Sequence, residues 1–389
     1  MQSASSTSIQ VAERAEPASL HRLLIRDFRN FRELRLDLPE AGAMIIGPNG
    51  SGKTNLLEAI YYLEVFRSFR GARDTDLIRF GEDVFRIEAT VRRDAGVEDL
   101  AAAFQKTGRR KKVERDGAEV DRITGAIGAF GAVVFDLDDA DLVSGSPGRR
   151  RRFLDILLSL VVPGYVADLQ RYRAVLAQRN EALRAGRDEV VDAWTEGLIV
   201  PGAKLISARD GWARRRAEGF RRYHQQISGG AGASLEYETS LAATQEEVDW
   251  ERRFRSGLEA SRMRDSRRGF TTVGPHRDDL VIRAEVDADG PERDLRSFGS
   301  GGQKRTAAIS LRLTEADSLR EANGSDPVYL LDDVFAELDR ERAERVFRLL
   351  DEGRAGQVFF TAPKPADMPF RGGALARWRI RDGVLAKLG

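Results

Sequence analysis

Apolar and polar positions along the chain fall into blocks of changing period. Leu23-Leu24-Ile25 and the alternating Leu34, Leu36 and Leu38 flank Asp27-Phe28-Arg29-Asn30-Phe31 and predict a short hairpin. Ala43-Met44-Ile45-Ile46 is an unbroken apolar run, as a buried strand requires, and Leu56, Ile60 and Leu63 behind it have helical spacing. From Arg86 to about Phe135, short alternating pieces with turn signals at Gly108, Asp116-Gly117 and Gly125 predict antiparallel hairpins. From Arg149 to Arg268 the pattern is mostly helical, with Val166, Leu169, Tyr172 and Leu176 between arginine-rich faces. Pro201-Gly202 is expected to kink or break that pattern, and the glycine-rich stretch Ser228 to Gly232 marks a loop before a strand at Leu235-Glu236-Tyr237. The last third returns to α/β alternation. Gly299 to Gly302 opens a helix carrying Ala308, Leu311 and Leu319, followed by a strand at Val328 to Leu331, a helix near Arg342 to Leu350 and a strand at Gln357 to Phe360. No repeat of fixed period and no long heptad run is present.

Composition narrows the chemistry. The 389 residues carry 63 basic and 62 acidic side chains, no cysteine and three histidines. Disulfide scaffolds, thiolate metal sites and thiol nucleophiles are thereby excluded, and a histidine-built metal site has little material. The longest nearly apolar run, Phe153 to Val162, is interrupted by Asp155 and is about half of what a bilayer crossing needs. Residues 1–19 read as a loose polar tail without the charged start and apolar core of a secretory signal, so a cytoplasmic protein is expected. With a net charge of +1, any nucleic-acid binding must rest on local basic patches.

Three motifs carry chemistry. Gly47-x-x-x-x-Gly52-Lys53-Thr54, lying between a strand and a helix, is a complete phosphate loop. Its glycines let backbone N–H groups through Asn49, Gly50, Ser51 and Gly52 point at phosphate oxygens; Lys53 neutralises the β and γ charge, Thr54 ligates Mg²⁺, and Asn55 opens the helix. Val328-Tyr329-Leu330-Leu331-Asp332-Asp333 is an apolar strand ending in two carboxylates. Asp332 is placed to hold Mg²⁺ through water and Asp333 to polarise an attacking water. Gly299-Ser300-Gly301-Gly302-Gln303 resembles the LSGGQ signature of the ABC ATPases, in which it completes the nucleotide site of the other subunit, and Ala336-Glu337-Leu338-Asp339 matches the D-loop. Thr54 and Ser297 are separated by far more chain than a nucleotide-binding core needs. The surplus predicts an α/β, ABC-type P-loop ATPase head, built from residues 20–148 and 269–389, with an inserted, mainly helical arm over residues 149–268.

Among ABC ATPases, an inserted arm marks the DNA-repair and chromosome-maintenance branch rather than transporter subunits. From about Leu20 onward the chain resembles the RecF family. The matching stretches are Asp27 to Phe31, Gly47 to Ile60, Arg67-Ser68-Phe69-Arg70, Leu142 to Pro147 with Arg150 to Asp155, Gly274 to Asp279, and Leu331-Asp332-Asp333 through Leu338-Asp339. Leu137, Phe69 and Asp27 depart from the residues usual in the family, which are proline, histidine and asparagine. Thr361 stands where transporters carry a switch histidine.

The resemblance implies an ATP- and Mg²⁺-dependent homodimer that clamps DNA at gaps or junctions of single and double strand. It further implies that the dimer works with RecR and RecO in loading a recombinase and restarting replication, with slow, DNA-stimulated hydrolysis as its reset. Aspartate rather than glutamate at 333 fits slow turnover. A nucleotide-gated scaffold with negligible turnover, or another chromosome-maintenance ATPase of this branch, are the other readings. The resemblance also brings Arg29 toward the α-phosphate and makes Asp138 and Asp139 a segment coupling head to arm. Arg109, Arg110, Lys111 and Lys112, with Arg150 and Arg151, are the DNA-binding candidates, although an arginine run is equally a solvated helix face. His276, with Arg277, Asp278 and Asp279 beside it, reads as part of a polar network between head and arm rather than a metal site.

Overall fold

The computed structural model describes residues 18–93, 96–242, 249–285, 291–335, 338–351, 356–364 and 375–388. Residues 1–17 of the expected polar tail therefore lie outside the described residues, while Ser19 is already buried in the first strand. That strand, β1 (Ser19–Phe28), pairs with β2 (Phe31–Asp37) as the alternation predicts, Ile25 opposite Leu34 and Leu23 opposite Leu36. The fully buried β3 (Gly42–Ile46) runs into the Gly47 loop and α1 (Lys53–Val65). After one helical turn, α2 (Asp74–Leu77), come β4 (Val84–Arg93), β5 (Gly96–Gln105), β6 (Arg110–Arg115) and β7 (Ala118–Glu119). They extend the first hairpin into an antiparallel sheet of order β2-β1-β4-β5-β6-β7.

The expectation of hairpins up to Phe135 fails at its end. Strand β8 (Ala132–Phe135) is buried at all four positions and leaves that sheet for a parallel pairing. Its unbroken Ala-Val-Val-Phe run suits a strand covered on both faces better than a half-exposed hairpin arm.

The helical segment follows as α3 (Ala140–Ser144), α4 (Pro147–Val161), α5 (Tyr165–Arg184), α6 (Asp188–Ser228), strand β9 (Ala233–Glu238) and α7 (Trp250–Arg268). Helix α6 continues for 41 residues through Pro201, so of the expected kink or break the break is absent. Packing overrides the lost hydrogen bond: Pro201 and Gly202 are buried, and a Cβ on Gly202 would lie 2.3 Å from the Phe254 ring. Strands β10 (Asp279–Glu285) and β11 (Glu292–Asp294) join β9 in a small sheet, β11-β10-β9.

The chain then returns through α8 (Leu295–Phe298), α9 (Gly301–Asn323), β12 (Val328–Asp332), α10 (Arg340–Asp351), β13 (Val358–Ala362), β14 (Ala376–Arg381) and β15 (Val384–Leu388). The second large sheet has the order β15-β14-β3-β13-β12-β8 and is parallel except at β15. Because β3 lies between β13 and β14, both ends of the chain build the nucleotide-binding half. One apolar core lies between the antiparallel sheet, α1 and the parallel sheet, bringing Phe28, Leu56, Ile60, Phe85 and Leu330 together. Helices α9 and α10 cover the opposite face through Ile309, Leu313 and Val346. Leu311 of α9 instead packs with arm residues such as Trp212 and Phe254, and that third core continues through Leu280, Ile282 and Leu295. Helix α9, which carries the signature at its start, is thus wedged between arm and head.

Candidate nucleotide site and basic surface

Strand β3, inside the parallel sheet, delivers Gly47 to its C-terminal end, and the loop closes with Gly52 at φ 111°, a left-handed conformation that favours glycine. A Cβ at Gly52 would also lie 2.6 Å from the Asn30 amide. Asn30, at the tip of the β1–β2 hairpin, donates to the Ser51 carbonyl at 3.1 Å and accepts from the Asn55 amide at 2.8 Å. The Gly383 N–H donates to the same carbonyl at 3.1 Å. Two separate turns therefore grip the loop at one peptide. Asn30 has no role in the site assigned from the sequence, although it lies in the turn between two alternating strands and in the Asp27 to Phe31 stretch that carries the RecF resemblance. Asn49 and Gly50 stay exposed, and the Ser51 hydroxyl is buried without a partner, an unsatisfied group that a phosphate oxygen fits.

Lys53 is buried, 4% exposed, its ammonium folded back to donate to the carbonyls of Gly47 at 2.9 Å and Pro48 at 3.4 Å. It also lies 3.7 Å from the Asp333 carboxylate. Thr54 Oγ1 donates to Asp332 Oδ2 at 2.7 Å, and Thr361 Oγ1 donates to Asp332 Oδ1 at 2.8 Å. Thr361 also accepts from the Asp333 N–H at 3.0 Å, with Asp333 Oδ1 at a longer 3.3 Å. Burial pushes the Asp332 carboxyl above the usual range, the hydrogen bonds from Thr54 and Thr361 pull it back, and the neighbouring Asp333 charge adds to the rise. Asp333 itself sits at φ 48°, a conformation that aspartate tolerates better than most residues. Lys53, Thr54, Asp332 and Asp333, drawn from distant parts of the chain, thus form one connected group.

The signature residues sit at the start of α9, an element apart from that group. Ser300 is the N-cap: its hydroxyl accepts from the Gln303 N–H at 3.2 Å, while the Gln303 side chain accepts from the Ser300 N–H at 2.8 Å. This reciprocal cap holds the helix N-terminus open beside Gly301 and Gly302. Asp339 of the D-loop accepts from the Arg342 N–H at 2.9 Å and pairs with its guanidinium at 3.2 Å. Ala336 lies outside the described residues.

Arg29 stands next to Asn30 in the same hairpin turn. Its guanidinium grips the buried Glu58 of α1 at 2.8 and 3.0 Å and donates to the Asp76 carbonyl at 3.1 Å, and Ser68 completes the Glu58 shell at 2.5 Å. Asp139 receives two hydrogen bonds from Arg312 of α9, at 3.0 and 2.6 Å, while Arg312 also holds Glu315 at 2.8 Å. The 136–139 segment is thereby tied to the signature helix. Burial and the Asp139 charge push the Asp136 carboxyl up to about 7.

The basic candidates divide. Arg150 is 3% exposed and forms a bidentate pair with Asp279 at 2.8 and 2.7 Å, with its remaining nitrogen on the carbonyls of Val143 and Gly145. Its charge is satisfied inside the protein, which corrects its reading as a DNA contact. Lys111 is likewise drawn inward, 2.9 Å from Asp74, 2.7 Å from the Phe66 carbonyl and over the Tyr62 ring. Lys112 is paired with Glu114, and Arg151 donates to the Asp278 carbonyl at 2.7 Å. Arg109 and Arg110 remain exposed, Arg110 3.6 Å from Glu119. His276 bonds Tyr172 of α5 at 2.6 Å and the Thr271 carbonyl at 3.1 Å, and burial lowers its pKa to about 4. Nearby Asp278 accepts from Tyr237 and Ser240, so this segment is a polar network fastening β9 and α5 to the strand that follows.

The model of the RecF/RecN/SMC N terminal domain matches residues 19–369. The DNA replication and repair protein RecF of Salinibacter ruber is 34% identical over 357 residues, 89% of this chain and 85% of that one. That of Halothermothrix orenii is 35% identical over 380 residues, 95% and 98% of the two chains. Among solved structures, the recombination mediator protein RecF-ATP of the RecFOR pathway superposes with a TM-score of 0.86 at 30% identity, over 97% of this chain and 100% of that one. The Smc head domain of Pyrococcus furiosus, at 17% identity and a TM-score of 0.56, shares the fold. With a phosphate loop, a capped signature helix and a carboxylate-ended strand in that order around an inserted arm, the chain belongs to the RecF family of DNA replication and repair proteins, built on an SMC-like ABC ATPase head.

Proposed function

We propose that the protein is an ATP-gated DNA clamp: it dimerises around ATP and Mg²⁺, holds DNA at gaps or at junctions of single and double strand, and lets go after slow hydrolysis. The observation that carries this reading is the connected group Thr54–Asp332–Thr361–Asp333–Lys53. In it a cation for phosphate, two hard oxygens for a divalent ion and a second carboxylate for water converge. A Thr hydroxyl with one carboxylate oxygen suits Mg²⁺, which takes few protein ligands and completes its shell with phosphate and water. Thr54 and Asp332, the latter through water, would hold the ion, which when bound neutralises charge developing on the β and γ oxygens.

Each side chain has a definable part. Lys53 exchanges the Gly47 and Pro48 carbonyls for phosphate oxygens. The buried Ser51 hydroxyl gains its missing partner. Asp333 orients the attacking water, and its short side chain, anchored by Thr361 and Lys53, makes it a poor base, which favours a timer over a motor. Ser300 and Gly302 at the open N-terminus of α9 complete the site of a second subunit, since backbone N–H groups there attract the γ-phosphate. We place RecR and RecO beside this dimer, at the step where a recombinase is loaded on gapped DNA and replication restarts, and the whole in the cytoplasm.

Fluorescence anisotropy of a labelled gapped duplex, titrated in ATP·Mg²⁺ and in ADP·Mg²⁺ at two salt concentrations, tests the reading. Tight, salt-sensitive binding in ATP alone is expected; equal binding in both nucleotides would overturn nucleotide gating.

A further inference from the structure

Phe80 is 99% exposed, at the tip of the loop between α2 and β4. A side chain so placed contributes nothing to the core, and leaving its ring in water gains nothing for folding. Its surroundings are built rather than loose. The Asp83 carboxylate, three residues on, accepts from the Thr107 N–H at 3.1 Å, the Thr107 hydroxyl at 2.9 Å and the Gln105 amide at 3.3 Å. The Lys106 N–H returns a bond to the Asp83 carbonyl at 2.8 Å. The loop's other end is fixed by the Arg79 N–H on the Asp27 carbonyl at 2.7 Å and by the Phe28–Ile78 bridge. The Phe80 loop and the turn Lys106 to Arg109 are thus pinned together at one end of the antiparallel sheet.

That turn carries exposed cations. Lys106 and Arg109 have no carboxylate within ion-pair distance among the described residues, and Arg110 has only the weak, exposed contact to Glu119. Arg109 stands at φ 49°, where the chain reverses sharply and presents the side chain at the turn. We propose that this end of the sheet is a binding site for single-stranded nucleic acid: an unpaired base stacks on Phe80 while its backbone phosphates lie against Lys106 and Arg109. One aromatic face with exposed cations at its side, Lys106 sharing only the longer-range field of Asp83, is the equipment for sequence-tolerant strand binding. A protein-docking patch would call for a wider apolar surface than one ring and the half-exposed Val84.

The site rests on the reading of the protein as a DNA clamp and adds to it a reason for preferring gaps and junctions, since only an unpaired base offers its face. Within the basic run Arg109 to Lys112 it favours the exposed Arg109 and Arg110 over Lys111 and Lys112, which are paired with Asp74 and Glu114, and it adds Lys106 from just outside that run.

The test uses the full chain in ATP·Mg²⁺ with three probes: a blunt duplex, the same duplex with a single-stranded gap, and that gap carrying 2-aminopurine. Phe80→Ala is expected to weaken gapped-duplex binding roughly 5- to 100-fold and to abolish the change in 2-aminopurine emission, leaving blunt-duplex affinity unchanged; Phe80→Trp restores both. Lys106→Ala with Arg109→Ala is expected to flatten the salt dependence on the gapped probe by about 1.4 in log–log slope. Wild-type binding to gapped DNA with no loss in Phe80→Ala, or an equal loss on blunt duplex, overturns the stacking site while leaving the clamp standing. Failure of the wild type to bind any of the probes overturns both.

Discussion

The Thr54 hydroxyl meets the Asp332 carboxylate at 2.7 Å across 278 residues of chain. This bond joins the first helix of the head to a strand beyond the arm, so the site exists only when both ends of the chain have folded onto the same sheet. Thr361 on the neighbouring β13 holds the other oxygen of Asp332 and the backbone of Asp333. Thr361 therefore places both carboxylates.

Thr361→Val keeps the volume and removes the hydroxyl. ATP affinity is expected to change less than about threefold while turnover falls roughly tenfold or more, because the lost bonds orient the carboxylates rather than the phosphates. The hydrogen bond from Thr361 lowers the Asp332 pKa against burial, so its removal raises that pKa further. If hydrolysis needs ionised Asp332, the rise of activity with pH moves to higher pH in the variant. A pH–rate profile under single-turnover conditions checks this; an unmoved profile means that Thr361 does not tune Asp332.

Lys53→Ala removes the buried cation that faces Gly47, Pro48 and Asp333. Loss of a desolvated charge partner to phosphate costs about 2–5 kcal/mol, or roughly 30-fold or more in affinity. Calorimetric titration with ATP is expected to show no binding at micromolar nucleotide. Retention of wild-type affinity would mean that the loop binds phosphate through its backbone alone.

Ser300→Arg separates nucleotide binding from assembly. The substitution removes the N-cap hydroxyl, at a cost of about 1 kcal/mol to α9, and fills the open helix N-terminus with a bulky cation. ATP binding by the single subunit is expected to persist while ATP-dependent dimers disappear in light scattering. Normal dimerisation would remove the composite site.

Much of this site is legible in the sequence because its signals are local. The glycine spacing of the phosphate loop, the apolar run before Asp332 and the Gly299 to Gln303 signature each lie within a few residues. What the sequence hid depends on distant partners. Strand β8 looked like the last arm of a hairpin series, since only its neighbour Val328 to Leu331 reveals a parallel pairing. Pro201 looked like a break because the Phe254 ring that packs on Gly202 comes some fifty residues later. Arg150 and Arg109 each stand in a run of basic residues and look alike there, yet Asp279 draws Arg150 into the interior, while no carboxylate among the described residues pairs with Arg109.

Arg150→Ala tests that division. Removing one partner of a buried pair leaves Asp279 and the carbonyls of Leu142, Val143 and Gly145 without their donor, which is expected to cost about 3 kcal/mol of stability in urea unfolding. DNA affinity per folded molecule is expected to stay at the wild-type level. A loss of DNA affinity with stability unchanged would return Arg150 to the DNA surface.

Glu64 sets a pH dependence of stability. Its carboxyl is fully buried in α1, faces the backbone N–H groups of Phe130, Gly131 and Ala132, the first donating at 3.1 Å, and keeps Oε1 without a hydrogen-bond partner of its own. Burial pushes its pKa from 4.5 up to about 7, with the backbone bonds opposing. Between those values the folded state binds more protons than the unfolded state, so stability falls as pH rises through the window and is flat above it. The full swing for a shift of this size is about 3 kcal/mol, and Asp136, also raised to about 7, adds to it with the same sign. Glu64→Gln carries no titrating proton, so its stability is expected to change less between pH 5 and pH 8 than that of the wild type. Urea midpoints at the two pH values decide it: an equal fall in both proteins would show that Glu64 is ionised throughout, and that the unpartnered Oε1 is stabilised by water reaching the helix.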